Sequence, residues 1–435
     1  MHSFAPEIML ITILSLVVLS DAIATRLKIP SVFLLLIGSY LIYTYFKVAV
    51  PIDLAANFST IILFCIPLIF MGDALHLHFS DIKKHGWSIF YLAVVAVALS
   101  IAVGASLSYF NVYEGLSLGA YVALFAINMA TDAVSVQSVL SRFDGISHDI
   151  KVLIEGESLG NDATAVIAFF FIGMPWMLSG QIDATQAALD ALRVFAVSTI
   201  VGISLGFAFY MIMKLFSNKR GELFAFIIEA YIAYVVAEEM HLSGILTLIV
   251  AIVATKAWID LDLVEEDAKK NKNFLRSLRL DNIRSTTKER LEYIYEMAKE
   301  FGYIAAVMIF FVLAEMVDFE QLWKYKTEIL IMFTATTIIR ALSMAKFTFF
   351  GSVKALASIK PVGAEGWFIL TFSGMKGALS IILVHMIPDS FAHKELFEAV
   401  TIGVVTLSIF VYGTTLWTYF TFFKKEKETQ LFAKS

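Results

Sequence analysis

Apolar runs near or above about 18 residues recur in this chain from one end to the other, and no other feature restricts its fold so severely. A run of that length matches the hydrocarbon core of a bilayer as a helix. Lipid offers no water to unpaired backbone groups, so each run must satisfy its own hydrogen bonds. Composition agrees: of 435 residues, 59% are hydrophobic and 16% charged, against about 25% charged in a soluble domain. The expected fold class is an all-α polytopic membrane protein, a single integral-membrane domain over 1–435.

Marking the runs gives about thirteen transmembrane helices. They lie near 4–25, 30–47, 57–75, 87–110, 116–140, 150–176, 192–216, 222–239, 243–260, 301–319, 328–350, 364–387 and 396–421. The first run is preceded by no Lys or Arg, so it reads as a membrane helix rather than a secretory signal. Loops after odd-numbered spans, together with the tail, hold about 26 of the 33 Lys and Arg, including ten from 256–300; the opposite loops hold about 5. Cytoplasmic loops carry that excess. The N-terminus is therefore expected outside and the C-terminus in the cytoplasm. The long polar stretch 261–299 reads as a cytoplasmic amphipathic loop, with Leu291, Ile294, Tyr295 and Ala298 at helical spacing.

The net charge of −5 gives no reason to expect a nucleic-acid partner. A single cysteine, Cys65, excludes an internal disulfide framework. None of the eight histidines has paired ligand spacing, so neither a resident metal nor a cofactor is expected.

Against this background the charges inside the apolar runs stand out. A charge at a helix centre costs roughly 2.5–3.5 kcal/mol of insertion free energy, and a Leu returns roughly 0.3–0.6. Several in one chain point to a functional site. Asp132 lies in NMATDAVSVQSVL. Glu157, Ser158, Asn161 and Asp162 lie in EGESLGNDATAVIAFFF, where i, i+4 spacing puts all four on one polar face. Polar glue between helices is the structural alternative. Arg340 in TTIIRALSM needs an anionic partner, and Glu157 is the candidate. Lys376 sits between two glycines in SGMKG, where the span is expected to be interrupted, as transporter helices are at ion sites. Glu238 and Glu239 read as the end of a span. Glu229 is mid-span with no role assigned.

ATDAVSVQSVL and EGESLGNDATAVIAF closely resemble the paired signatures of NhaP-type sodium/proton antiporters, in the monovalent cation/proton antiporter superfamily. AYVVAEEMHLSGILTLIVA, IIRALS and FSGMKGALSIILVHMIP extend the resemblance from about residue 10 to 420. The resemblance implies two inverted six-helix repeats, an extra span, and interrupted helices that cross. It implies core transport helices at about 87–176 and 328–421 and dimer or scaffold helices at about 4–75 and 222–319. It further implies a homodimer in a prokaryotic inner membrane, moving monovalent cations and protons among lipid. Residue by residue, Asp162 would bind cation or proton. Asp132, Thr131 (through its carbonyl), Ser158 and Asn161 would complete the site. Glu157 would pair with Arg340, and Lys376 would compensate the broken helix ends. Two departures stand out: Lys376 replaces an arginine common in relatives, and FMGDALHLHF displaces Asp73 by one position from their F-E-G-A-L-H-L.

The chemistry fits without the family. Burial favours the neutral form of a carboxylate, and a bound cation favours the charged form. Proton and sodium, or lithium, thus compete for Asp162, and exchange follows if the loaded site reorients. Asn161 cannot ionise, which favours electroneutral exchange. The alternatives are a K⁺/H⁺ antiporter or a cation-coupled solute symporter of similar architecture. A channel would need polar residues in more spans. An intramembrane aspartyl protease would need a G-x-G-D motif, which is absent. The chain is thus read as a transporter, not an enzyme.

Overall fold

A computed structural model describes residues 5–27, 31–46, 58–77, 79–141, 143, 146–216, 218–270, 288–349 and 363–424. Among these every regular element is helical, as lipid requires. The chain runs through α1 (Ala5–Leu27), α2 (Ser31–Phe46), α3 (Phe58–His76) and α4 (Phe79–Phe90). A π-helical turn, Tyr91–Ala96, leads from α4 into α5 (Val97–Ser106), which ends in the 3₁₀ turn Leu107–Phe110. Two short helices follow, α6 (Leu118–Ile127) and α7 (Ala133–Leu140). Next, α8 (His148–Ala168) passes through a second π turn, Phe169–Gly173, into α9 (Met174–Ser179). The long helices α10 (Ala184–Met213), α11 (Lys219–Glu239), α12 (Gly244–Lys270) and α13 (Lys288–Met316) follow. The chain finishes with α14 (Phe319–Lys324), α15 (Lys326–Phe349), α16 (Gly363–Phe372), α17 (Ala378–His385) and α18 (Lys394–Thr418), which continues into the π turn Tyr419–Lys424.

Among the described residues the apolar stretches fall largely on these helices. Six helical segments among the described residues are long and apolar enough to cross a membrane. Two stretches, 116–140 and 364–387, are each a pair of half-helices with a non-helical join.

The chain divides into two compact units. The first comprises 1–62, 87–183 and 307–435. Its centre is α6, whose residues from Gly119 to Ile127 are all buried. A helix apolar on every side belongs inside a bundle. A further apolar core joins Val136, Val139 and Leu140 of α7, Leu153 and Ile154 of α8, and Ile369 and Leu370 of α16. It packs one half of each pair, α7 and α16, against α8.

The second unit comprises 63–86 and 184–306. In lipid, helices gain little from hiding apolar surface, so close packing holds them together. Gly202 and Gly206 of α10 face α12, where a Cβ would stand 2.7 Å from the Thr247 carbonyl oxygen and 2.6 Å from that of Ala251. The two backbones can be this close only because neither glycine carries a side chain.

The polar stretch 261–299 is largely the extension of two spans. α12 continues to Lys270, and α13 begins at Lys288 and runs unbroken into its apolar half. Residues 271–287 lie outside the described residues. The apolar stripe of 291–298 packs inward: Ile294 and Ala298 are buried, and Tyr295 meets His76. Lys256, counted above with the polar loop, is 3% exposed within α12. Its ammonium donates to the carbonyls of Leu75 and Leu77, the latter at 3.0 Å.

Candidate functional site

The site grows from the two helix breaks in the first unit. α6 ends at Ile127, and the backbone stays non-helical to Asp132, which is extended at φ −110° and ψ 105°. Asp132 caps α7: its carboxylate accepts from the amide of Val134 at 3.0 Å and from the Ser135 hydroxyl. A carboxylate there gains from the unpaired amides and the helix dipole. The second break, Ser373–Gly377, separates α16 from α17.

The breaks cross. The Asp132 amide donates to the Met375 carbonyl at 2.8 Å. Ser380 donates to the carbonyl of Ile127, freed where α6 ends, at 2.8 Å. The Lys376 amide donates to Ser408 at 2.8 Å. Gly377 permits the crossing, because a Cβ there would strike the side chain of Asp132.

α8 lies across the first break and binds Thr131 at several atoms. The Thr131 amide donates to Asp162 at 3.2 Å, its carbonyl accepts from Ser158 at 2.6 Å, and its hydroxyl stands 3.5 Å from Asn161 Nδ2. Asn161 Nδ2 also donates to Glu157 at 3.0 Å. Since that carboxylate can only accept, the amide orientation is fixed, and Asn161 Oδ1 is left buried with no hydrogen-bond partner among the described residues. Glu157 is 3% exposed and Asp162 6%.

Arg340, from α15, meets Glu157 with both ends of its fork, Nη1 to Oε1 and Nη2 to Oε2, the latter at 2.9 Å. Its Nε donates to the Thr371 carbonyl at 2.9 Å, and Nη2 donates to that of Leu370 at 2.9 Å. These carbonyls end α16 and have no onward helix to serve. Lys376 is buried at the same break, within electrostatic reach of Arg340, Glu157 and Asp162.

The structure therefore brings together Thr131, Asp132, Glu157, Ser158, Asn161, Asp162, Arg340 and Lys376. Asp73 is half-buried on α3 and belongs to the second unit. Sequence reasoning missed Ser135, Ser380 and Ser408. A serine in an apolar span is too common to attract notice, and the backbone partners of Ser380 and Ser408 at the crossing are remote in sequence.

The profile of a family described as "Sodium/hydrogen exchanger, transmembrane" matches residues 11–421. The Na(+)/H(+) antiporter ApNhaP of Aphanothece halophytica is 26% identical over 359 residues, covering 82% of this chain and 63% of that protein. This chain thus spans under two thirds of that relative. The Na(+)/H(+) antiporter NhaH of Halobacillus aidingensis is 26% identical over 433 residues, covering 95% and 96% of the two chains. The solved structure of the sodium proton antiporter MjNhaP1 from Methanocaldococcus jannaschii at pH 8 has the same fold: TM-score 0.69 at 17% identity, covering 92% of this chain and 98% of that one.

Arg340→Ala would strand Glu157 and the carbonyls of Leu370 and Thr371, at a cost of about 3–5 kcal/mol for the orphaned buried charge. The expected outcome is a clearly lower melting temperature in detergent, partly restored by adding Glu157→Gln. Wild-type stability in the single variant would mean that the pair does not hold the break together.

Proposed function

The chain belongs to the sodium/hydrogen exchanger family, and from that premise we propose that it is a secondary antiporter exchanging Na⁺ for H⁺ through competition at Asp162. The observation that carries this reading is the charge inventory at the crossing. Three carboxyls (Asp132, Glu157, Asp162) meet two bases (Arg340, Lys376), all within one unit. Fully ionised, the group lacks one positive charge. One proton or one monovalent cation balances it equally well, and burial discourages holding both or neither.

The residues divide this work. Glu157 is committed to Arg340. Asp132 is committed to the α7 N-terminus, which favours one constant protonation state. Asp162 accepts from the Thr131 amide at the broken helix and is the carboxylate proposed to exchange its partner. The oxygens of Asp162, Ser158, Thr131 and Asn161 suit a hard monovalent cation, and Asn161 Oδ1 is an acceptor in search of one. Proton loading and cation loading leave the site with the same charge, so exchange is electroneutral. Lithium, with the same oxygen preference, is a second substrate. The helices 87–176 and 328–421, which bear every group at the crossing, carry the site between the two sides.

In proteoliposomes with a sodium gradient, Asp162→Asn should abolish proton flux while the protein stays folded and inserted. Retained exchange at even a modest fraction of the wild-type rate would refute the role. Wild-type vesicles held at 0 and −100 mV should exchange at one initial rate. A transported elementary charge would carry about 2.3 kcal/mol across 100 mV, so a voltage response would require a second exchanging acid. Adding Na⁺, Li⁺ and K⁺ separately identifies the cation.

The multi-pass chain is proposed to sit in a prokaryotic inner membrane with its N-terminus outside, on the Lys/Arg asymmetry. In a Cys65→Ala background, Lys219→Cys should react with an impermeant reagent from the cytoplasmic face and Glu320→Cys from outside. Reaction of both from one face would overturn this topology.

A further inference from the structure

Glu229 lies mid-way along α11 in the second unit and is 0% exposed. Nothing in the exchange chemistry uses it. Its Oε1 is 2.5 Å from the hydroxyl of Thr255 on α12. The same hydroxyl is 2.9 Å from the backbone carbonyl of Gly206 on α10. Three oxygens thus form a chain across three helices, with two contacts at hydrogen-bond distance. A threonine hydroxyl supplies one hydrogen and a carbonyl supplies none. The second hydrogen can come only from the carboxyl group.

From this count we infer that Glu229 is a proton-binding site: a carboxylic acid that keeps its proton, donates it to Thr255, and through Thr255 ties α11 to the Gly206 carbonyl. The other carboxyl oxygen supports the assignment. Oε2 is buried with no hydrogen-bond partner among the described residues. An under-satisfied carbonyl oxygen of a neutral acid is tolerated in a protein interior, whereas an ionised carboxylate with one donor is far costlier. An ionised Glu229 would also have to take the hydroxyl hydrogen for itself. The Thr255 and Gly206 oxygens would then face each other at 2.9 Å with no hydrogen between them.

Several charged groups of these helices have partners of their own. On α12, Lys256 donates to the carbonyls of Leu75 and Leu77. Asp262 accepts from Tyr210 of α10 at 2.7 Å and pairs with Lys214 at 3.4 Å. On α11 itself, Glu222 pairs with Arg290 at 2.5 Å. The Gly202 and Gly206 seam that brings α10 against α12 also sets the carbonyl within reach of Thr255. Glu229 is therefore a clamp at a three-helix junction, loaded with a proton throughout the transport cycle and distinct from the proton that is exchanged.

Infrared difference spectroscopy on the purified full chain at neutral pH tests this. Glu229→Gln should remove the carboxylic-acid C=O stretch of a single group, and Thr255→Val should shift that band upward as its acceptor is lost. Sodium-driven exchange in Glu229→Gln should match wild type, because the glutamine amide can donate in place of the acid. Loss of carboxylate rather than acid intensity, an unshifted band in Thr255→Val, or loss of exchange in a folded Glu229→Gln protein would each overturn the inference. Should Glu229→Gln fail to fold, the Thr255→Val spectrum decides alone, and neither spectrum depends on the antiport assignment.

Discussion

The Arg340–Glu157 pair is the contact on which the first unit depends. Breaking a helix inside a membrane creates carbonyls with no amide to serve them, and lipid supplies none. Arg340 meets that need at the end of α16 through Leu370 and Thr371. It would be a stranded charge were Glu157 not there to receive the other side of its fork. A lysine could not replace it, because the work requires several donors held in one plane. The bond chain then continues from Glu157 to Asn161 and from Asn161 to Thr131. An unfavourable backbone break is thereby turned into a fixed frame around Asp162.

The two units treat buried charge differently. In the second, Glu222 and Arg290 form an ion pair, and Lys256 stops the carbonyls of Leu75 and Leu77. In the first, acids outnumber bases at the crossing by one, and Asn161 Oδ1 has no donor among the described residues. The proposed alternation between a proton and a cation uses both deficits.

Much of this was legible in the sequence, for identifiable reasons. The apolar stretches fall on helices because lipid leaves the backbone no other choice. The break at Ser373–Gly377 was readable from two glycines flanking Lys376. The break before Asp132 was not: AINMATDAV contains neither glycine nor proline, and only the family resemblance pointed to it. The i, i+4 spacing of Glu157 with Asn161 and of Ser158 with Asp162 marked one polar face, and the structure turns that face toward Thr131. Lys256 and Glu229 could not be interpreted, because their partners are two carbonyls at the C-terminal end of α3 and a hydroxyl on α12, with no sequence signature. The stretch 261–299 looked like a loop because its charges mask the helical continuations of α12 and α13.

The central claim is that one buried carboxylate binds either a proton or a cation and never both. Sodium binding to the purified protein, followed by a pH indicator in weakly buffered detergent solution and by calorimetry in parallel, addresses it without any transport. The account predicts that each sodium bound expels a proton, so the indicator signal and the binding heat saturate together. Binding heat without proton release would contradict it.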